Sequence, residues 1–599
     1  MIQLYVEKNT DQMRSTLMSV GLARLLHELE PASAAVRLAD MGSCYAISAA
    51  YDREQAHAFL KRRGMLPQIL PALIKEFSPG EQKTLAADPQ SSVMYRYKPR
   101  GFPEAFVADY KAEREKQQAS KGKKAERQEG GEDARHRDFP LWAHFCSYFG
   151  KGSVMRGTYP EALHAWWAHQ GQAAHQLLDL ILDLYAELPN DPEAAARVWI
   201  KDIQPSLPPT DIEIGAWISA SIAVSPSTCK GHNRPAVAMG LNADTLQAFW
   251  LEMYLALAGY MVVGMPYRSG PHALLYYPLP ADMAYERLQQ TMDQYRQKPE
   301  MRQLYDQYSL ERVKLDALAY LTYYENLIER LREALLDDPF DSGSAEQLMG
   351  LAGYFYKENG GAQIPFDEVV FSTPSWLPLA SADDCARALD ILHDHRDMIQ
   401  AIRGPRYELN SDELLLIEKY RRFITTGGTQ TWIDFAISYH FYRFAKIENA
   451  YLPNFHRSLF EDTLKEIMMS ERRDYRPILE SPGFQAITNA IRACTVTERY
   501  YQDVKKQTRS FKVRHGLGDD LLRYAHDAER FLMELSSFIH DYSRESSNVQ
   551  ADSGETRPFV TAENIADVVQ LVNDYGPRIV AHLLVAVGYA SDYRKSDNA

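Results

Sequence analysis

Residues 519 to 542 read DDLLRYAHDAERFLMELSSFIHDY. Stepped at about 100° per residue from Leu521, the apolar side chains of Ala525, Leu532, Leu535 and Ile539 gather within about 40° of it, while His526 falls at about 140° and His540 at about 100°. That stripe predicts one continuous amphipathic helix whose histidines face away from the core. The same period recurs before it in SDELLLIEKYRRFI, QTWIDFAISYHFYRFAKIENAYL and FHRSLFEDTLKEIMM, and after it in AENIADVVQLVNDYGPRIVAHLLVAVGYA. Residues 405–599 are therefore expected to form a helical bundle.

Further upstream the pattern changes. IQLYVE alternates as a strand, TDQMRSTLMSVGLARLLHELE reads as a helix ended by Pro31, and AAVRLAD and SCYAISAAY read as a hairpin turning at Met41-Gly42. Residues 1–118 are thus an expected N-terminal α+β domain, and the nearly apolar-free 119–138 an expected charged, flexible linker. Residues 139–404 read as a mixed, mainly helical middle domain. Within it AWISASIAV, the loop PSTCKGHNRPAVAMG, the helix DTLQAFWLEMYLALAG and the short strands MVVGM and HALLYYPL follow one another. The expected class is α+β, predominantly helical, with a C-terminal bundle.

A chain of 599 residues exceeds what one hydrophobic core serves, and 45% hydrophobic with 24% charged residues is an ordinary globular composition. The opening MIQLYVEKNTDQ has no apolar signal core, and the apolar run Met253–Met265 is too short to span a bilayer, so a cytosolic protein without a membrane partner is expected. Cys44, Cys146, Cys229, Cys385 and Cys494 include no C-x-x-C pair, which argues for reduced thiols rather than disulfides or a zinc knuckle.

Charge is distributed unevenly. The net charge is -14, yet residues 91–160 hold 14 Lys/Arg against 9 Asp/Glu and residues 492–514 hold 7 against 2. The second island contains VKKQTRSFKVRHG, residues 504–516, with five Lys/Arg and no acid. Taken as a helix counted from Tyr500, Val504 falls at about 40° and Phe511 at about 20°, while Lys512, Lys505 and Arg509 fall at about 120°, about 140° and about 180° on the far side. One packing face, one cationic face and a stop at Gly516 are predicted. Such a face is either balanced by acidic neighbours or tracks phosphates.

The run SPGFQAITNAIRACTVTERYYQDVKKQTRSFKVRHGLGDDLLRYAHDAERFLMELSSFIHDYSRES, residues 481–546, resembles the C-terminal helical domain of large subunits of type I CRISPR effector (Cascade) complexes. HNRPAVAMGLNADTLQAFWLEMYLALAGY, with the later LLYYPLP, resembles the middle region of the subtype I-A and I-B large subunits. The resemblance implies a non-catalytic subunit without cofactor that recognises the protospacer-adjacent motif in double-stranded target DNA and stabilises the opened strands, while base pairing with the crRNA reads sequence. Implied partners are the crRNA, the backbone and guide-processing subunits, a small helical subunit, and a helicase-nuclease or transposition proteins. Carried onto this chain, Lys505, Lys506, Arg509, Lys512 and Arg514 would line the DNA path, and Lys230, His232, Asn233 and Arg234 in the middle loop would contact groove or backbone, an ordinary surface turn being the alternative for that loop. Lys151 and Arg156, in the Gly-rich FGKGSVMRGTYP, would approach phosphate, a structural turn being the alternative. An internal start at Met468 or Met469 would release a small-subunit-like block of about 468–599; otherwise these are two core methionines.

Two other classes compete. A helical scaffold for protein assembly would explain the acidic body. A metal-dependent phosphohydrolase would use the His-Asp dipeptides His393-Asp394, His526-Asp527 and His540-Asp541, but on one continuous helix His526 and His540 would lie about 21 Å apart and share no metal. No G-x-x-x-x-G-K-[ST], G-x-G-x-x-G after a strand, G-x-S-x-G or H-E-x-x-H occurs.

Overall fold

The computed structural model describes residues 1–8, 12–31, 35–70, 161–163, 165–169, 171–207, 215–219, 247–269, 272–297, 311–337, 349–359, 362–402, 409–447, 455–506, 511–553 and 557–591. Its fold is α+β and predominantly helical, with small antiparallel sheets and helices dominating the C-terminal region. Contacts divide the chain into two compact units, Met1–Tyr308 with Glu346–Val370 and Ser309–Ala345 with Phe371–Ala599.

In the first unit, β1 (Ile2–Glu7), β2 (Val36–Asp40) and β3 (Cys44–Ala49) form the expected strand and hairpin. Ile2, Leu4 and Val6 are buried and Gln3 and Glu7 are exposed, as a strand with one covered face requires. Short β4 (Trp217–Ser219) and β5 (Gln247–Phe249) pair with each other, so Gln247–Phe249, read as part of the helix DTLQAFWLEMYLALAG, stands in a ladder instead. The helix proper is Trp250–Val263. It continues through the MVV read from sequence as strand because its surroundings are apolar on every side: all its residues except Glu252 are buried, and Glu252 accepts a hydrogen bond from Arg14. Among the described residues no helix is long and apolar enough to cross a membrane.

β6 (Met265–Ser269), β7 (His272–Leu279), β9 (Gly350–Asn359) and β10 (Ala362–Phe371) build a second sheet in the order β10-β9-β7-β6. β8 (Asp282–Ala284) instead joins the first sheet, ordered β1-β3-β2-β8, through Leu38 opposite Met283 and an Arg37–Asp282 ion pair at 2.8 Å. That sheet takes strands from both sides of 119–138. The first unit takes residues from both 1–118 and 139–404, while 309–345 and 371–404 fall in the second. Helix Gln12–Leu29 packs against Trp250–Val263 with Gly21 and Gly259 at the crossing, where a Cβ on either would overlap the other helix's backbone carbonyl.

The second unit is helical. Asn410 caps Ser411–Thr426 in a reciprocal capping box with Glu413, and Gly427 closes it with φ 65°. Thr429–Ala445 and Arg457–Glu471 follow. Met468 and Met469 lie in the last turn of Arg457–Glu471, so the block 468–599 begins inside a helix whose Phe460 and Leu464 are fully buried. Met468 is a core residue and Met469 is 57% exposed.

Two of the stretches read as helical are each divided in two, one of them expected to be continuous. AENIADVVQLVNDYGPRIVAHLLVAVGYA divides at Gly576, φ 87°, into Ala562–Tyr575 and Pro577–Gly588, since Pro577 has no N–H to carry the ladder on. DDLLRYAHDAERFLMELSSFIHDY divides into Leu517–Arg523 and Ala528–Ser553. The Asp527 carboxylate accepts the Arg530 N–H at 3.2 Å and serves the opening turn of the second piece. The predicted faces survive the break: Leu521, Ala525, Leu535 and Ile539 are buried, Leu532 is half-buried, and His526 and His540 are exposed.

Candidate nucleic-acid interface

The cationic island begins at the end of a long helical run. Ser481 caps its start, Pro482 occupies the first turn, and Phe484, Ile487 and Ile491 bury one face of Pro482–Arg492. The run then widens into π turns at Ala493–Thr497 and Tyr500–Val504. Each π turn takes more residues than an α turn, so the regular α-helical phase stepped along the sequence no longer holds across them. Val504 is 40% exposed and Tyr500 38% exposed instead of packing.

The helix predicted to reach Gly516 ends at Val504. Lys506 takes φ 51°, a left-handed conformation that turns the chain, and residues 511–516 are irregular. KKQTRS supplies no apolar residue to a packing face, so nothing draws the helix onward. The Gln502 side chain donates to the Phe511 carbonyl at 2.8 Å and ties the end of the helical run to the segment that starts at residue 511.

Residues 511–514 are fastened by buried and acidic partners. Phe511 is buried beneath the Arg557 guanidinium, which lies 3.5 Å from its ring centroid. The Lys512 N–H donates to Glu545 at 2.7 Å, and the Arg514 N–H donates to the Cys494 carbonyl at 2.8 Å. The Arg514 guanidinium lies 3.4 Å from Glu545 and 3.7 Å from Asp541. Arg557, almost fully buried, sits 3.8 Å from Glu545 and 3.9 Å from Glu498.

These positions revise the sequence assignment. Arg514 is engaged with two carboxylates and holds the segment down rather than offering charge outward. Lys505, Lys506 and Lys512 are exposed, and among the described residues none of their ammonium groups has an ion-pair partner. Lys505 lies 5.9 Å from the Tyr500 ring, whose neighbour Tyr501 meets it edge-on at 5.8 Å. Three cations with an exposed aromatic thus flank one pinned loop. Glu545 and Arg557, which shape it, escaped the sequence reading because they lie more than thirty residues from the groups they hold and sit in no motif.

Arg509 lies outside the described residues, as do Lys230, His232, Asn233 and Arg234, Lys151 and Arg156, and the stretch 119–138.

The His-Asp dipeptides are dispersed. His526 lies in the turn between two helices, so the single-helix separation expected for it and His540 does not apply. His393 is 3.8 Å from Glu325, which also pairs with Arg396. His395 is fully buried, with Nδ1 3.0 Å from the Tyr420 hydroxyl and Nε2 3.0 Å from Thr463 Oγ1, and its ring stacks on Trp432 at 4.9 Å. Both its nitrogens are occupied, and burial pushes its pKa down to about 3. Among the described residues no group of three His, Cys, Asp or Glu is placed to hold a metal ion.

Neither a family model nor a curated protein matches this chain.

Proposed function

We propose that this protein is the large, non-catalytic DNA-contacting subunit of a crRNA-guided type I complex, acting in the cytoplasm and holding target DNA opened beside its protospacer-adjacent motif. The observation that carries the reading is the pinned loop on which Lys505, Lys506 and Lys512 stand exposed without carboxylate partners among the described residues. An acidic protein gains nothing for its fold by holding three ammonium groups exposed without a carboxylate partner among the described residues. Phosphate gives them a role, because each neutralised phosphate releases a condensed counterion. Exposed Tyr500 beside them suits an unpaired base, and nothing in this chemistry requires a catalytic constellation. The resemblance of residues 481–546 to the helical C-terminal domain of such large subunits supports the same reading.

Replacing Lys505, Lys506 and Lys512 by Gln is expected to weaken target-DNA binding by the assembled particle roughly ten-fold or more at moderate salt, and to flatten the dependence of log K on log salt by roughly 2 to 3. All three side chains are exposed, so circular dichroism and the melting temperature should not change. Filter binding across a salt series reads both quantities. Unaltered affinity and slope in the folded variant would remove the loop from the DNA path.

A further inference from the structure

We propose that a second site, formed by other residues of the helical unit, binds a phosphate group carried on a nucleotide. It goes beyond the reading above and stands without it. A cavity of about 310 Å³ lies among helices Ser411–Thr426, Thr429–Ala445, Leu517–Arg523 and Pro577–Gly588. Lys419 and Arg422, one turn apart, line one wall; Thr431, Asp434 and Ser438, spaced along one face of the next helix, line another; and His582 completes the polar rim.

Lys419 and Arg422 match a phosphate in charge, while the Thr431 and Ser438 hydroxyls donate to the Gly428 and Asp434 carbonyls at 2.8 and 2.7 Å and serve to shape the wall. Lys419 Nζ donates to Ser438 Oγ at 2.6 Å, which orients the ammonium and leaves it further N–H groups to offer. Neither Lys419 nor Arg422 has a carboxylate partner among the described residues, and the one acid of the lining, Asp434, accepts from Gln430 at 2.7 Å. Thr431 lies in the opening turn of a seventeen-residue helix whose first N–H, at Thr429, is already taken by the Glu471 carboxylate at 2.9 Å, so the two cations carry the attraction. His582 Nδ1 is 2.7 Å from the Arg578 carbonyl, which can only accept, so Nδ1 carries a proton and the ring is held in place at the rim.

The rest of the lining points to a nucleotide rather than bare phosphate. Phe441, Ile437 and Leu522 form an apolar wall. Phe441 is only half-buried although it meets Tyr589 edge-on at 5.2 Å, leaving ring surface for a base. The volume is at the lower end of the roughly 300–1,000 Å³ of small-molecule sites, which suits one nucleotide unit and not a dinucleotide.

Calorimetry with the full-length protein tests the site, using 5′-AMP, adenosine, inorganic phosphate and an oligothymidylate as probes. AMP or the oligonucleotide should bind, and adenosine should not. Lys419→Met with Arg422→Gln should weaken the bound probe about ten-fold or more. Asp434→Asn, which removes the opposing charge, should tighten it two- to three-fold, so a sign reversal remains readable even where the double variant folds poorly. If AMP binds, the source is a free nucleotide. If only the oligonucleotide binds, and still depends on Lys419 and Arg422 when Lys505, Lys506 and Lys512 are Gln, the source is a strand. Failure of every phosphate probe, equal binding of adenosine, or variants that bind as the parent does would each overturn the assignment.

Discussion

Acidification from pH 7.5 to 5.0 is expected to cost the helical unit about 4 kcal/mol through two buried histidines. His395 is held between Tyr420 and Thr463 and stacked on Trp432, and His440 packs on Phe455 with its ring centroid 4.8 Å away. Burial drives the pKa of each down to about 3, with Arg443 and Arg492 adding to the effect at His440. Both rings are therefore neutral in the folded protein, while in the unfolded chain they protonate near the ordinary 6.5. The unfolded state binds the extra protons, so the stability from neutral burial is complete above about 6.5 and is lost as pH falls toward 3. At pH 5 each histidine accounts for about 2 kcal/mol. Urea denaturation at the two pH values checks this against His395→Gln, which should be less stable at pH 7.5 but lose about 2 kcal/mol less on acidification. Equal losses in parent and variant would mean that His395 is not kept neutral.

The second large effect lies at the crossing of Gln12–Leu29 with Trp250–Val263. By helix propensity alone, Gly21→Ala and Gly259→Ala should each stabilise by about 1 kcal/mol. Packing reverses the sign. A Cβ on Gly21 would overlap the Leu255 carbonyl oxygen, and one on Gly259 the Leu17 carbonyl oxygen. Backbone cannot rotate aside as a side-chain tip can, so one helix must withdraw from a core containing Leu22, Leu25, Tyr254 and Val262. Each substitution is expected to destabilise the first unit by about 3 kcal/mol, the upper part of the overpacking range. The double variant should cost less than the sum, because one withdrawal relieves both overlaps. Gly42→Ala serves as contrast: its φ is 85° and a Cβ there meets nothing within 4 Å, so only the left-handed conformation, about 1 kcal/mol, opposes it. Comparable losses at Gly21, Gly259 and Gly42 would contradict the crossing geometry.

How much of this was legible in the sequence follows from the range of each signal. Period-two burial in IQLYVE and period-3.6 burial in SDELLLIEKYRRFI are local, and both elements stand where their residues put them. Gly576-Pro577 is a local break signal lying between two apolar periods, and the helices part there. The cationic loop was legible as charge but not as shape. A helical phase can be stepped through any sequence, and nothing in VKKQTRS announces π turns or a left-handed Lys506. The long-range partners were out of reach: Arg514 and Glu545 are 31 residues apart, and Lys419 and His582 meet one cavity from distant helices. Pairings of this kind depend on how the helices dock, which no local window contains.

The central proposal is that this chain assembles on a guide RNA, and whether RNA co-purifies with it tests that most directly. The protein would be tagged at its own locus, purified under native conditions, and the co-purifying RNA sequenced. Short RNAs of uniform length are expected, each joining a unique segment to a common repeat-derived sequence, in near one-to-one ratio with the chain and together with backbone and guide-processing subunits. A preparation whose only partners are proteins, with no such RNA, would contradict the claim.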